Sequence, residues 1–223
     1  MPDVGAGEAG SPAVGSPAVR SPGVRPRDAV VDLLTRAQEA RVGGDRVVLL
    51  IDGRSGSGKT TLARHLVDAW PVDQLGPVQL VHLDDVYPGW HGLEAASRIV
   101  ESGILAAAPA WTTWDWEHGV PGEGRTLDPA VSVVVEGAGA LTRASSALAT
   151  LRVWLELDDE TRRSRALGRD GATYEPWWDV WAEQEERHLA VEDPRSLADV
   201  VVDVGPGESV GGSRDAPVGG SAG

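Results

Sequence analysis

The sequence predicts an α/β fold in which a mostly parallel sheet of about five strands carries helices on both faces. Three observations predict it. Short valine-rich runs alternate with segments of helical periodicity, a glycine-rich loop over 53–61 joins one such run to a helical segment, and acidic residues follow later runs. Because ligands of parallel sheets bind at the carboxyl ends of the strands, the fold also predicts the edge at which a site lies.

The predicted elements follow one another along most of the chain. An amphipathic helix is expected over 28–41, where apolar residues recur at helical spacing before two glycines stop it. The other elements are, in chain order, strand 47–51, a helix ending near 70–71, strand 78–83, an alanine-rich helix over 93–107, strand 131–135, strand 152–157, helices over about 159–169 and 174–190, and strand 199–204. Strands this continuously apolar are typical of a sheet that is buried on both faces.

The composition predicts one packed domain between two disordered ends. Residues 1–26 repeat a five-residue pattern rich in proline, glycine and serine, and residues 205–223 have the same bias, so neither segment is expected to bury a core. Residues 27–204 form the predicted domain, with a lid at about 159–172. A chain of 223 residues that is 41% hydrophobic can build one sizeable core.

The charge of the chain restricts its partners. A formal net charge of −14 argues against DNA or RNA, because proteins bind those through lysine and arginine contacts to phosphates. A small phosphorylated ligand remains compatible, since it needs only a local positive site. The chain has no cysteine, no apolar stretch of membrane-spanning length and no secretory signal pattern, so a soluble, cytoplasmic protein without membrane contact is expected. No sequence feature supports self-association, which is left open.

The loop over 53–61 matches the phosphate-binding pattern Gly-x-x-x-x-Gly-Lys-Thr, with a strand before it and a helix after it. Its glycines let backbone N–H groups curl around a polyphosphate, and the helix directs its positive end at the anion. Lys59 is expected to reach the β and γ phosphates, and the Thr60 hydroxyl to hold Mg²⁺. A plain Gly/Ser turn is the alternative. The pattern predicts a three-layer P-loop NTPase fold, with ATP-binding residues Gly53, Ser55, Gly56, Ser57, Gly58, Lys59, Thr60, Thr61 and Arg162.

Acidic residues end two of the other predicted strands. Asp84 and Asp85 follow strand 78–83, which we expect to lie next to the P-loop strand, and either one is placed to accept a proton from a substrate hydroxyl or to contact the metal. We assign the catalytic role to Asp84 and substrate binding to Asp85; a pair that merely caps the next turn is the alternative. Glu136 ends strand 131–135 and is the second predicted Mg²⁺ ligand, against an ordinary strand-end acid.

Arginines cluster on one predicted helix. Arg162, Arg165 and Arg169 are spaced three and four residues apart and therefore share a face, with Arg163 beside them. Such a stripe suits a lid whose guanidiniums cover phosphate oxygens, and we expect Arg165 and Arg169 to be catalytic. The alternative is a solvated basic face.

A tryptophan-rich segment over 111–125 lies between two breaker-rich stretches. Its residues Trp114, Asp115, Trp116 and His118 suit a pocket that stacks a flat ligand and hydrogen-bonds it, although tryptophan also serves as core in a chain with no phenylalanine. Three later tryptophans recur at helical spacing and are expected to pack: Trp177, Trp178 and Trp181. The five histidines are not spaced like metal ligands, so no metal site made by protein alone is predicted.

The order of these pieces resembles the uridine kinase and phosphoribulokinase-like branch of the P-loop kinases over about residues 45–204. The matching segments are the loop 53–61, Leu83-Asp84-Asp85-Val86-Tyr87 against the family's Asp-x-Phe-Tyr, 114–116 against Tyr-Asp-Phe, 135–137 against its Glu-Gly strand end, 162–170 against its arginine-rich lid and 198–202 against its closing strand. The resemblance implies that Asp84 acts on a nucleoside 5′-hydroxyl, that Tyr87 lines the substrate pocket, and that the aromatic residues around Asp115 flank the base.

The resemblance implies an ATP- and Mg²⁺-dependent kinase that phosphorylates a hydroxyl group, with a nucleoside as the closest acceptor class. The chain departs from the family at the tryptophans around Asp115, at His118, which stands one place early, in the stretch 88–93 and in its shortened lid. Two alternatives stay open: a kinase for a sugar, a vitamin precursor or an antibiotic, and a regulatory or ATP-hydrolysing module. No Asn-Lys-x-Asp guanine-reading motif occurs, which argues against a GTPase.

Overall fold

The computed structural model describes residues 19–21 and 26–205. Its strands are β1 (Val19–Ser21), β2 (Val48–Asp52), β3 (Val78–His82), β4 (Ala110–Asp115), β5 (Val120–Thr126), β6 (Ser132–Glu136), β7 (Leu151–Glu156) and β8 (Val200–Asp203). Its α-helices are α1 (Pro26–Ala40), α2 (Lys59–Asp68), α3 (Val72–Leu75), α4 (Leu93–Ile99), α5 (Arg143–Ser146), α6 (Asp159–Tyr174), α7 (Trp178–Glu192) and α8 (Pro194–Leu197).

The predicted α/β architecture is confirmed. Within the described residues, six strands form one parallel sheet in the order β1-β8-β7-β2-β6-β3, and β4 pairs with β5 in a separate antiparallel hairpin. Alternate residues of β2 enter different cores: Leu49 and Ile51 pack with α1 and α2, whereas Val48 and Leu50 pack in the core that contains residues of α4 and α7. The sheet is therefore the middle of three layers, which explains its continuously apolar strands.

The strand order corrects one expectation about the site. β6 lies between β2 and β3, so the strand that leads to Asp84 is not the neighbour of the P-loop strand. Glu136 ends the true neighbour, where it pairs in register with Ile51 on one side and His82 on the other. Alternating strands and helices predict a parallel sheet but carry no information about which strands are adjacent.

Residues 19–21 differ from the prediction of a disordered arm. They form β1, which pairs in parallel with the edge strand β8, Val19 opposite Val200. A high proline and glycine content predicts that a segment cannot bury a core by itself. It does not predict pairing with the unpaired backbone N–H and C=O groups of an edge strand elsewhere in the chain. Residues 1–18 and 206–223 lie outside the described residues, so the rest of the arm and the tail stay predictions.

The tryptophan-rich segment over 111–125, for which no helix or strand was predicted, lies in the β4–β5 hairpin. Gly119 takes a positive φ of 65° in its turn, and the Asp115 carboxylate accepts the backbone N–H groups of Glu117 and His118 there. The side chains of β5 are all exposed, so this strand has no alternating apolar pattern to reveal it.

The predicted lid at about 159–172 falls within α6, which a short 3₁₀ turn over Glu175–Trp177 joins to α7. Gly171 interrupts α6 with non-helical φ and ψ of 52° and −135°, so the direction of the chain changes there. The predicted helix over 93–107 is split as well, because α4 ends at Ile99 and a π-helical stretch follows over Val100–Ile104. Among the described helices, none is long and apolar enough to cross a membrane.

Candidate functional site

The loop between β2 and α2 has the compact, glycine-dependent shape that the sequence predicts. Gly56 and Gly58 take positive φ values of 82° and 100°. A Cβ on Gly56 would overlap the backbone carbonyl of Arg162, so helix α6 presses directly on the loop. Helix α2 begins at Lys59, immediately after the loop, and its N-terminal N–H groups are left for a ligand.

Polar groups within and beside the loop lack partners among the described residues. Among the described residues, the Lys59 ammonium makes one hydrogen bond, donating to the carbonyl of Arg54 at 3.2 Å across the loop. The buried hydroxyl of Ser57 and the buried Nη2 of Arg165 have no hydrogen-bond partner there. Buried donors are rarely left unpaired, so these groups fit a site built for the oxygens of a polyphosphate.

Thr60 and Glu136 form the candidate metal site. The Thr60 hydroxyl donates to Glu136 Oε1 at 3.0 Å, and the Glu136 side chain is only 3% exposed. Hydroxyl and carboxylate oxygens are the ligands that Mg²⁺ prefers, usually together with substrate phosphates. No group of three or more histidine, aspartate or glutamate side chains within the described residues is arranged to hold a metal. Mg²⁺ at this pair would therefore take its remaining ligands from phosphate and water.

His82 joins this pair, which the sequence did not predict. Its Nδ1 lies 2.6 Å from the same Glu136 oxygen, because β3 and β6 place the two residues in register. The hydrogen bond to Glu136 raises the pKa of His82 although partial burial opposes it. The sequence signal that could have identified it is the single histidine near the end of strand 78–83, just before the acidic pair at 84–85.

Asp52 is a second residue that the sequence analysis missed. Its carboxylate is 1% exposed and accepts three backbone N–H groups, from Gly53 at 2.6 Å, Gly139 at 3.0 Å and Leu141 at 2.8 Å. It therefore ties the start of the phosphate loop to the loop after β6. His188 Nε2 lies 3.5 Å from it. Burial lowers the pKa of His188, but the nearby Asp52 carboxylate more than offsets this, so the pKa is raised.

We expect Asp52→Ala to lower the free energy of unfolding by about 2–4 kcal/mol, because several buried N–H groups lose a charged acceptor together. Chemical denaturation followed by circular dichroism measures it. Asp68→Ala is the matched control, since Asp68 is exposed at the end of α2 and surface changes typically stay within about 0.5 kcal/mol. Equal midpoints for the two variants would contradict the structural role of Asp52.

Helix α7 contributes a buried carboxylate, Glu185, to the outer side of the phosphate loop. Its Oε1 accepts the backbone N–H of Ser55 at 2.6 Å and the indole N–H of Trp181 at 3.1 Å. Its Oε2 accepts from Arg54 Nε at 3.0 Å. Sequence reasoning missed it because Glu185 stands in the charged run 183–187, a pattern that favours a solvent-exposed helix face.

One arginine of the predicted stripe contacts the phosphate loop directly. The Arg162 side chain is only 3% exposed, and its guanidinium donates to the Ser55 carbonyl at 3.0 Å and pairs with Asp159 at 2.6 Å. Arg165 is half-buried, and Arg169 is exposed. Arg163 lies over the Trp178 ring, 5.9 Å from its centroid. The structure therefore brings one end of the lid helix to the loop.

The residues expected around an acceptor occupy two different environments. Asp84 and Asp85 are exposed in a 3₁₀ turn over Leu83–Asp85, and the Asp84 carbonyl accepts the indole N–H of Trp116 at 2.7 Å. Tyr87 is instead buried, and its hydroxyl donates to the Ala138 carbonyl at 2.9 Å. Burial raises the pKa of Tyr87 well above its usual value. In this structure Tyr87 therefore packs in the core instead of lining an open pocket.

The hairpin brings Trp116 and the Asp115–His118 pair to the same side as Asp84. His118 Nδ1 lies 2.8 Å from Asp115 Oδ2, and the backbone N–H of His118 also bonds that carboxylate. Backbone and side-chain hydrogen bonds from His118 lower the pKa of Asp115, so the carboxylate is ionised at neutral pH. Trp114 is half-buried in β4.

An aromatic cluster connects the hairpin with the end of α6 and the 3₁₀ turn that follows it. The Trp90 ring lies 4.8 Å from Trp116, 5.5 Å from Tyr174 and 5.7 Å from Trp177, measured between centroids, and it is nearly parallel to the last two. Trp177 was assigned to packing, and it does pack, but against the loop beside Asp84. Trp90 and Tyr174 were not predicted, because neither stands in a periodic pattern.

The three-layer sheet and the glycine-rich loop together define an α/β fold with a P-loop. Among solved structures, the chain is similar to one described as a possible uridine kinase from Bacillus stearothermophilus, with 23% identity, a TM-score of 0.56, and coverage of 79% of this chain and 98% of that one. It is also similar to a "putative fructose transport system kinase" from Silicibacter sp. TM1040, with 18% identity, a TM-score of 0.50, and coverage of 77% and 98%. No protein-family model matches the chain, and no significant match to a curated protein was found.

Proposed function

We propose that this protein is an ATP-dependent kinase that transfers the γ-phosphoryl group of Mg·ATP to a hydroxyl group of a small acceptor, most simply a nucleoside. The observation that carries the proposal is the Thr60–Glu136 pair at 3.0 Å, because it joins a complete phosphate loop to a candidate metal site. The fold it shares with two structures described as kinases supports the same reaction class.

The nucleotide half of the reaction uses the loop and the helix that presses on it. The loop N–H groups and Lys59 bind the β and γ phosphates. Arg162 lies against the outer side of the loop, where it donates a hydrogen bond to the Ser55 carbonyl. Mg²⁺, when bound at Thr60 and Glu136, neutralises charge that develops on the transferred group. The protein forms no covalent bond to the phosphoryl group. Its residues speed the transfer by holding the reactants in position and by stabilising the developing charge.

The acceptor half uses the exposed turn at the end of β3. Asp84 lies at the carboxyl edge of the sheet, and Trp116 holds its backbone carbonyl. There Asp84 accepts the proton of the acceptor hydroxyl as the oxygen attacks phosphorus, with Asp85 the alternative base. Asp115, His118 and the exposed part of the aromatic cluster supply polar and flat contacts for the rest of the acceptor.

Two classes of acceptor, nucleosides and sugars, are compatible with this fold. The two similar structures are described as kinases linked to uridine and to fructose, so the fold is compatible with a nucleoside or a sugar. The aromatic residues beside Asp84 favour a flat acceptor over a sugar.

An ATP-consumption screen tests the function. The purified chain is incubated with Mg·ATP and panels of nucleosides, sugars and vitamin precursors, with a reaction lacking any acceptor as the control. We expect ADP formation that depends on the acceptor and a phosphorylated product that mass spectrometry identifies. ADP formation that is equal with and without acceptors would favour an ATP-hydrolysing module and contradict the kinase proposal.

Trp116→Ala should raise the KM for the acceptor by about two- to tenfold, because it removes a stacking surface worth about 0.5–1.5 kcal/mol, while the KM for ATP stays unchanged. The Trp116 side chain is 39% exposed, so the fold should survive its loss. Steady-state kinetics with each substrate varied measures the effect. Trp116→Phe keeps a smaller aromatic ring without the N–H, so its KM for the acceptor should lie between those of the wild type and Trp116→Ala. Gross unfolding of the alanine variant would assign Trp116 to the core.

A further inference from the structure

Glu185 occupies an unusual place for a carboxylate, since it is 2% exposed and sits among the donors of the phosphate loop. Besides the Ser55 N–H, it accepts from Arg54 at 3.0 Å and lies 3.8 Å from an Arg162 nitrogen. A buried carboxylate is stable only when charges and hydrogen bonds compensate it, and here two guanidiniums do so. The Ser55 N–H, predicted as an ATP contact, is therefore already used by the protein itself.

The face of α7 that carries Glu185 touches both halves of the site. Trp181 packs edge-on against Tyr87 with centroids 4.7 Å apart, and Gln184 donates to the Trp90 carbonyl at 2.7 Å. One turn beyond Glu185, His188 approaches Asp52. These residues are spaced three or four apart and share one side of the helix. This side of α7 therefore contacts the Trp90 backbone, Arg162 of α6 and Ser55 of the phosphate loop.

We propose that Glu185 is a positioning residue for phosphoryl transfer, which holds the Arg162 guanidinium and the Arg54–Ser55 arm of the phosphate loop in their working arrangement. The proposal rests on the kinase function proposed above. Glu185 touches no substrate: it acts through Arg162, whose charge is useful to the transferring phosphoryl only from a defined place. Without the carboxylate, the Arg54 and Arg162 guanidiniums still share the exposed Asp159, but they lose the buried negative charge that lies next to both and repel each other more strongly.

Glu185→Gln tests this, because it keeps the shape of the side chain and removes its charge. We expect kcat to fall by about tenfold or more, while the Kd of a non-hydrolysable ATP analogue, measured by calorimetry, changes by less than about threefold. Glu185→Asp keeps the charge and should recover part of kcat. The matched control is Glu183→Gln, on the same helix, whose side chain is 73% exposed and pairs only with Arg187 among the described residues. It should leave kcat unchanged.

Thermal unfolding of each variant separates positioning from folding, since a loss of kcat that matches the unfolded fraction would overturn the proposal. A spectroscopic readout is independent of turnover: the indole N–H resonance of Trp181, assigned with Trp181→Phe, reports whether its bond to Glu185 persists. We expect the resonance to stay in place when the wild-type chain binds the ATP analogue. A shift toward its position in Glu185→Gln would mean that phosphate displaces Glu185.

The carboxylate would then be a placeholder for phosphate, which would be confirmed if Glu185→Gln bound the analogue more tightly with unchanged kcat. Either result overturns the positioning role. The two proposals fail in different ways. A wild-type chain that binds the analogue with an unmoved Trp181 resonance, yet phosphorylates no acceptor, contradicts the kinase function alone. An active wild-type enzyme whose Glu185→Gln variant has equal kcat contradicts the positioning role alone.

Discussion

Replacing Lys59 by alanine should lower kcat by about 10²- to 10³-fold or more, the typical cost of removing one preorganised group that stabilises transition-state charge. In the structure the ammonium lies against the loop carbonyl of Arg54 at 3.2 Å, with the Ser57 hydroxyl unpartnered nearby in the loop. An incoming γ-phosphate offers it a stronger, charge-assisted partner than that carbonyl. Because the positive charge of Lys59 acts on negative charge that develops on the moving phosphoryl group, the loss is larger in kcat than in substrate binding.

The fold should tolerate this substitution, because Lys59 makes only that one side-chain hydrogen bond within the described residues. Arg64→Ala is the matched control, since it removes a cation from the exposed side of the same helix and should retain activity. The measurement is ADP release with a saturating acceptor, accompanied by circular dichroism. A folded Lys59→Ala enzyme with full activity would refute the assignment of the phosphate loop.

The parts of the structure that could be predicted are those written in short stretches of sequence. The P-loop pattern needs only eight consecutive residues, and its flanking strand and helix follow from local periodicity. Glu136 was placed at the ligand edge because it ends a run of valines, and the structure puts it within 3.0 Å of Thr60. Each of these inferences depends on near neighbours along the chain.

The parts that could not be predicted depend on contacts between distant segments. Asp52 resembles an ordinary strand-end acid until the loop after β6 brings two more N–H groups to it. Glu185 reads as one exposed acid among several, and 130 residues separate it from Ser55 along the chain. Nothing in the local pattern distinguishes it from Glu183, because burial is decided by how α7 docks on the loop.

Asp84→Asn should reduce kcat by about 10²- to 10⁴-fold, the range typical of removing a general base, with little change in the affinity for ATP. The amide keeps the size of the side chain and its ability to accept a hydrogen bond, but it cannot take the proton from the acceptor hydroxyl. Asp84 is exposed in the turn after β3, and its backbone is held by Trp116 at 2.7 Å, so the substitution should not disturb the fold.

Asp85→Asn is the natural comparison, because both aspartates lie in the same 3₁₀ turn and both are exposed. Successive residues of such a turn project about 120° apart, so only one of them can face a given acceptor. We therefore expect the loss of kcat in one variant and a much smaller effect in the other. A loss confined to Asp85→Asn would move the base to Asp85, whereas full activity in both variants would mean that the acceptor hydroxyl is deprotonated without either carboxylate. The Trp116 indole bonds the backbone carbonyl of Asp84, which holds Asp84 beside the aromatic residues proposed to bind the acceptor and favours it as the residue that acts.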